Sequence, residues 1–322
     1  MGMYTQLTQD QRYQIYAFMK AGFSQTQVAS EIGIHKSTVS RELNRNRGQK
    51  GYRPKQAHRM AVERGRGRKK FIKMTPEVTS LIEHYIRQDF SPEQISGFLI
   101  RKHRIRISHE SIYQYVLNDK LNGGDLYRHL RHAHKKRKKR YGAHDRRGRI
   151  KDRISIDERP AIVESKERVG DWEIDTIIGK NHKGVLLSLV ERKSKFTLIG
   201  KLPKKQADLV AEATIELLNP YKEKVFTITC DNGQEFAHHK VIKEQLHTEL
   251  YFAHPYHAWE RGLSENTNGL IRQYFPKGTS FETIKEKHVQ MAMNRLNNRP
   301  RKTLGFKTPI EVFFHNVIKQ AA

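Results

Sequence analysis

Apolar residues near the start of the chain recur at helical spacing, with Leu7, Ile15 and Met19 on one side of a first predicted helix. Residues 23–43 then read as two helices around a tight turn. Ser24, followed three positions on by Gln27, is a capping box that opens the first of the pair. Small Ala29 lets helices approach closely, Gly33 suits the turn, and Ile34, Val39 and Leu43 fall on the inward side. Lys36, Ser37, Thr38, Ser40 and Arg41 are left outward, where a recognition helix presents side chains to a major groove. A weaker copy follows. Ser91-Pro92-Glu93-Gln94 joins a serine cap to an N1 proline and an N3 glutamine, and Ser108 opens a partner helix over residues 107–116.

From about residue 162 the period changes to short strand-like runs at 172–178, 184–190, 196–201 and 225–230, with a shorter one at 249–252. The turn at 191–195 joins the second and third runs, and Val210, Ala213 and Leu217 mark the inner face of a helix that stops before Asn219-Pro220. Short connections make the first three strands antiparallel neighbours, and the helix lets the fourth return beside the first. This order is that of a ribonuclease-H-like fold. The expected architecture is multidomain: N-terminal all-α helix-turn-helix modules, then an α/β domain with a mixed five-stranded sheet. The expected boundaries are a helix-turn-helix domain at 1–48, a basic linker at 49–74, a second helical, helix-turn-helix-like module at 75–130, another basic linker at 131–160, and the α/β domain at 161–322.

Charge narrows the partner. Sixty-one Lys and Arg against thirty-four Asp and Glu in 322 residues leave a formal charge of +27, which calls for a polyanion and for binding that weakens with salt. The runs Arg64-Gly65-Arg66-Gly67-Arg68-Lys69-Lys70 and His134-Lys135-Lys136-Arg137-Lys138-Lys139-Arg140 repel themselves too strongly to form a core and read as tethers. No apolar stretch is long enough to cross a bilayer and no secretory leader is visible, so a soluble, cytoplasmic protein is expected. A lone cysteine, Cys230, excludes an internal disulfide or a cysteine zinc site within one chain, and at a strand end it reads as a small buried hydrophobe.

Within the apolar runs three acids stand out: Asp175 amid Ile174, Ile177 and Ile178, Asp231 at the end of the fourth strand, and Glu265 at the start of a later helix. An ionised carboxylate among apolar neighbours needs a compensating cation or donor. Mg²⁺ fits, with Mn²⁺ as a substitute, because it takes oxygen ligands and leaves positions for phosphate. Two such ions held by the three acids would activate the attacking oxygen and stabilise the leaving oxygen of a phosphodiester displacement. Asp171 and Glu173 share the strand parity of Asp175, but Asp175 lies deeper in the run. Glu235 and Glu260 read as supporting or surface acids, His254 and His257 as structural or solvated, Trp259 as a packing anchor, and Asn232 and Gly233 as turn formers. Asn268 and Arg272 share a helical face with Glu265 and, with Lys277, are candidate DNA contacts.

The motifs Gly170-Asp171-Trp172-Glu173-Ile174-Asp175 and Asp231-Asn232-Gly233-Gln234-Glu235-Phe236, and the run from Trp259-Glu260-Arg261-Gly262 through Glu265-Asn266-Thr267-Asn268-Gly269 to Phe275-Pro276-Lys277-Gly278, closely resemble the DDE transposases of the insertion sequence 30 family. Leu296-Asn297-Asn298-Arg299-Pro300-Arg301-Lys302-Thr303-Leu304-Gly305-Phe306 extends the similarity, which spans nearly the whole chain. The resemblance implies a retroviral-integrase-type catalytic core at 161–322 with Asp175, Asp231 and Glu265 as catalytic and metal-binding residues. It also implies binding to double-stranded DNA (terminal inverted repeats and target DNA), cleavage that exposes a 3′-hydroxyl, and strand transfer. Pairing two element ends implies at least a homodimer, and a prokaryotic host would place the protein at the nucleoid. Two other readings share these features: a DNA-binding regulator that has lost catalysis, and a nuclease of the same fold that cleaves without joining.

Overall fold

The computed structural model describes residues 6–66, 74–131, 150, 152–255 and 257–320, and the chain forms two compact units, Met1–Ile72 and Lys73–Ala322. The basic runs at 67–70 and 132–149 lie outside the described residues.

In the first unit, helices α1 (Gln9–Lys20), α2 (Gln25–Ile32) and α3 (Lys36–Asn46) pack around Ile15, Val28, Ala29 and Val39. Both reciprocal hydrogen bonds of the Ser24–Gln27 capping box form, and Gly33 ends α2 in the left-handed conformation at φ 68°. Inside, Arg12 Nε donates to Glu42 Oε1 at 2.7 Å, Arg12 Nη2 to Glu42 Oε2 at 3.2 Å, and Tyr52 adds its hydroxyl at 3.3 Å, which locks α1 to α3. The stretch expected as a linker differs. A small β1–β2 ribbon (Arg47–Gly48 with Gly51–Tyr52) leads into helix α4 (Pro54–Arg66). The density of charge there hides a narrow apolar stripe: Pro54 and Ala57 are buried and Met60 and Ala61 half-buried, one turn apart, while the charged residues take the outer face.

The second unit begins with α5 (Pro76–Arg87), α6 (Pro92–His103) and α7 (His109–Leu121) around Ile82, Ile86, Ile95, Leu99 and Ile112. Ser91 and Ser108 cap α6 and α7 as their sequences predict. This module is packed onto the rest of its unit. Gly97 lies so near Phe306 that a Cβ there would stand 2.3 Å from the ring, Arg101 donates to the Phe306 carbonyl at 3.0 Å and to Glu311 at 2.7 Å, and Lys302 reaches Glu93 at 2.6 Å.

The sheet that follows has the order β3-β8-β7-β4-β5-β6. Its members are β3 (Ile154–Ser155), β4 (Asp171–Ile178), β5 (Val185–Glu191), β6 (Thr197–Leu202), β7 (Thr227–Cys230) and β8 (Glu249–Phe252). Strands β4, β5 and β6 are antiparallel, whereas β7 returns parallel to β4 and β8 parallel to β7. The five expected strands are all present. A sixth, the two-residue β3, joins the edge from within the stretch expected as the second linker, and it is too short to leave a period in the sequence.

Helices α8 (Ile162–Ser165), α9 (Ala207–Leu218), α10 (His239–Leu246), α11 (Gly262–Tyr274), α12 (Glu286–Asn298) and α13 (Pro309–Gln320) complete the unit. One face of the sheet, with Trp172, Ile174 and Ile228, packs with Val210, Leu246 and Phe313. The other, with Ile177, Leu186 and Ile199, packs with Leu270 and Ile271 of α11 and Leu296 of α12. Helix α9 buries Val210, Ala211, Thr214 and Leu218, and the expected Ala213 and Leu217 are only partly buried, a rotation of about one residue that lets Thr214 turn inward by bonding the Val210 carbonyl.

Candidate active site

Alternation along β4 puts Asp171, Glu173, Asp175 and Ile177 on the face that meets α11. The first two acids are consumed in the interior. Asp171, 1% exposed, accepts from Arg168 at 2.9 Å and from Thr227 at 2.8 Å. Glu173, also 1% exposed, accepts from Arg192 at 2.9 Å and, through its other oxygen, from the Ser264 backbone N–H at 2.9 Å and hydroxyl at 3.0 Å. That second contact anchors the first turn of α11 to β4, and a carboxylate there also suits the positive end of the helix dipole.

Asp175 lies mid-strand, two residues beyond the last pair of β4 with β7, and is half-buried. Its Oδ1 accepts from the Thr176 N–H at 2.8 Å, and its Oδ2 accepts from the Asn268 amide at 2.9 Å. Burial raises its pKa above the usual carboxylate value; Arg261 pulls it down and the negative charge of Asp231 pushes it up. Asp231 directly follows β7, the parallel neighbour of β4, and its Oδ1 accepts from the Gly233 N–H at 2.8 Å, which closes an Asx turn.

The guanidinium of Arg261 spans the two aspartates, 3.6 Å from Asp175 Oδ2 and 3.4 Å from Asp231 Oδ2. One cation is thus shared by two carboxylates from adjacent strands, and the pair offers hard oxygen donors suited to a divalent ion. Glu265 lies exposed on the first turn of α11. Asn268, three residues on and on the same helical face, touches Asp175, so the face that carries Glu265 is the one turned to the aspartates. The three carboxylates are not drawn within ligand distance of each other; among the described residues the grouping that is so drawn is His254, His257 and Glu260.

The candidate DNA contacts separate into two kinds. Asn268 has its amide occupied by Asp175 and its carbonyl oxygen accepting from Ser188 at 2.8 Å, so it orients a carboxylate instead of facing solvent. Arg272 is held by the Ile178 carbonyl at 2.9 Å and lies over the Phe281 ring, while Lys277 is exposed. In the first unit Lys36 and Arg41 are exposed and Ser37, Thr38 and Ser40 half-buried on α3.

The rival acid Glu235 is buried beneath Lys205 at 2.6 Å and takes the hydroxyl of Thr176, whose side chain leaves the strand on the opposite face from Asp175. Cys230 is fully buried, which drives its pKa up. Trp259 departs from its expected packing role: it is 72% exposed and stacks on His257 at 4.4 Å, because the loop that carries it runs outside the core. Sequence reading passed over Arg261. An arginine in a basic chain has no periodic signature, and its place directly before α11 was the available signal.

Residues 3–46 match the helix-turn-helix domain family. The transposase for insertion sequence element IS4351 of Bacteroides fragilis is 44% identical over 309 residues, 95% of each chain. Transposase InsI for insertion sequence element IS30A of Escherichia coli K12 is 34% identical over 97% of this chain and 84% of its own. Among solved structures, the catalytic core domain of BIV integrase aligns with 48% of this chain and all of its own at 20% identity and a TM-score of 0.40. With relatives of this identity along nearly its full length, the chain belongs to the insertion sequence 30 family of transposases.

Proposed function

We propose that this transposase binds the terminal inverted repeats of its element through the helix-turn-helix unit and carries out DNA cleavage and strand transfer at Asp175, Asp231 and Glu265. The observation that carries the reading is the sharing of one cation by Asp175 on β4 and Asp231 directly after the parallel β7, with Asp175 bonded to Asn268, one helical turn from Glu265. Bound Mg²⁺, or Mn²⁺ in its place, two ions per site, would supply Lewis acidity to the attacking and leaving oxygens of an in-line displacement. The chain's own part is to hold the ligands. Asn268 and the Thr176 N–H fix both oxygens of Asp175, the Gly233 N–H fixes Asp231, and Glu173 pins the start of α11. Lys36, Ser37, Thr38, Ser40 and Arg41 would read the element end, and Arg272 and Lys277 would hold phosphate near the reacting strand. Double-stranded DNA is the partner, two chains or more would join the paired ends, and the protein would act in the cytoplasm at the nucleoid of a prokaryotic host. No helix among the described residues is long and apolar enough to cross a membrane.

Strand transfer on labelled element-end DNA with Mg²⁺ or Mn²⁺ tests this. Asp231→Asn should retain end binding while joined product falls by more than about 10³-fold, the loss that follows from about 4 kcal/mol of transition-state stabilisation. Cleavage without joining by the unmodified chain would assign a nuclease instead, and binding without either reaction a regulator.

A further inference from the structure

Outside the aspartate pair, the loop before α11 gathers a second set of metal-ligating atoms. His254 Nδ1 lies 2.9 Å and His257 Nδ1 3.1 Å from one oxygen, Glu260 Oε1. One ligand atom from each of the three residues falls within 4.8 Å of the others, the one such grouping of three among the described residues. The other nitrogen of His254, Nε2, faces Asp157 Oδ2 at 2.9 Å. The second oxygen of Glu260 accepts from the His254 backbone N–H at 2.8 Å and so is already oriented.

We propose that His254, His257 and Glu260 form a transition-metal site, with zinc as the matching ion, separate from the carboxylate site of the transposition reaction. Imidazole nitrogen and carboxylate oxygen at an open tetrahedral site are the donor set that zinc takes with two histidines and a glutamate. Tetrahedral ligands at zinc distances stand roughly 3.3 Å apart, so each nitrogen is within a few tenths of an ångström of the separation from Glu260 Oε1 that the ion requires. Asp157 supplies what a bare cluster of polar side chains lacks. A carboxylate on the far nitrogen of a ligating histidine fixes its tautomer and raises its basicity. The charges also close, since two carboxylates balance one divalent ion with both imidazoles neutral. Both imidazoles are partly exposed, at 36% and 43%, which leaves an entry path and a place for water as fourth ligand. The consequence is local: the ion would tie His254 and His257 to Glu260, one residue before Arg261, and so constrain the approach of α11.

The inference does not depend on the proposed reaction, and its test reads metal alone. The full chain, freed of metal and titrated with Co²⁺ and Zn²⁺ at neutral pH, should show the intense visible bands of tetrahedral cobalt saturating at one equivalent of that species and bleached by zinc. Asp231→Asn should bind as the unmodified chain does. His257→Ala and Glu260→Gln should lose the tetrahedral spectrum with an unchanged circular-dichroism spectrum, and Asp157→Asn should weaken binding about 10- to 100-fold. Absence of tetrahedral cobalt in the unmodified chain, its persistence in both His257→Ala and Glu260→Gln, or its loss in Asp231→Asn would each overturn the assignment.

Discussion

Asp171, Glu173 and Asp175 occupy one face of one strand, yet their surroundings give them three different tasks. Parity in the sequence put all three on that face and could not rank them, because what separates them is distant in sequence: Arg168 and Thr227 for Asp171, Arg192 and Ser264 for Glu173, Asn268 and Arg261 for Asp175. Depth in the apolar run pointed to Asp175; in the fold it lies mid-strand, beyond the last β4–β7 pair at Glu173, and is the most exposed of the three. Glu173 is the residue whose loss should unfold the site. Glu173→Gln takes from Arg192, 3% exposed, the buried one of its two carboxylate partners and leaves only the exposed Glu164; breaking a buried pair costs up to about 3–5 kcal/mol, so denaturant midpoints of the second unit should fall. Asp171→Asn changes a different pair and tests whether the effect is specific to the β4–α11 anchor.

Elements with local punctuation were legible: the capped helices α2, α6 and α7 and the strands β4 to β8 follow from serine caps, Gly33 and apolar runs. Those that were not legible rely on partners. Helix α4 is basic over most of its surface and is held by one buried stripe, and β3 is two residues added to an existing edge. The contact between α6 and the start of α13 is likewise invisible in sequence, since Arg101 and Glu311 are far apart along the chain. It has a pH signature. Burial tends to raise the Glu311 pKa, but the Thr308 N–H with Arg101 and Lys102 outweighs it and holds the group at about 2 against an ordinary 4.5. A lowered folded-state pKa stabilises above the unfolded value and is lost on acidification, so the contribution should be complete above about pH 4.5 and vanish toward pH 2. Thermal unfolding followed across that window should show a shallower acid decline in Glu311→Gln than in the unmodified chain.

At the scale of the molecule, the proposed function assigns reading and reacting to two compact units, and the surplus of positive charge extends over both. Reading and reacting should therefore separate by mutation. Lys36→Ala with Arg41→Ala should weaken binding to element ends, by about 1–3 kcal/mol for each base-contacting side chain, with less effect on cleavage of pre-bound DNA; unchanged end binding in a mobility-shift assay would remove α3 from the interface. Arg261 carries a consequence for the order in which ligands arrive. If Asp175 and Asp231 hold the ion as proposed, a side-chain cation already lodged between them would compete with it, and a DNA phosphate that drew the guanidinium away would relieve the competition. Metal and DNA then become linked ligands, each tightening the other by roughly 5- to 150-fold, the usual span of such coupling. Mg²⁺ titrations with and without element-end DNA should display that difference, and Arg261→Ala should erase it by letting the free chain bind the ion at the affinity otherwise seen only on DNA. Equal Mg²⁺ affinities with and without DNA in the unmodified chain would show that the arginine is no gatekeeper, and that the reaction is timed elsewhere.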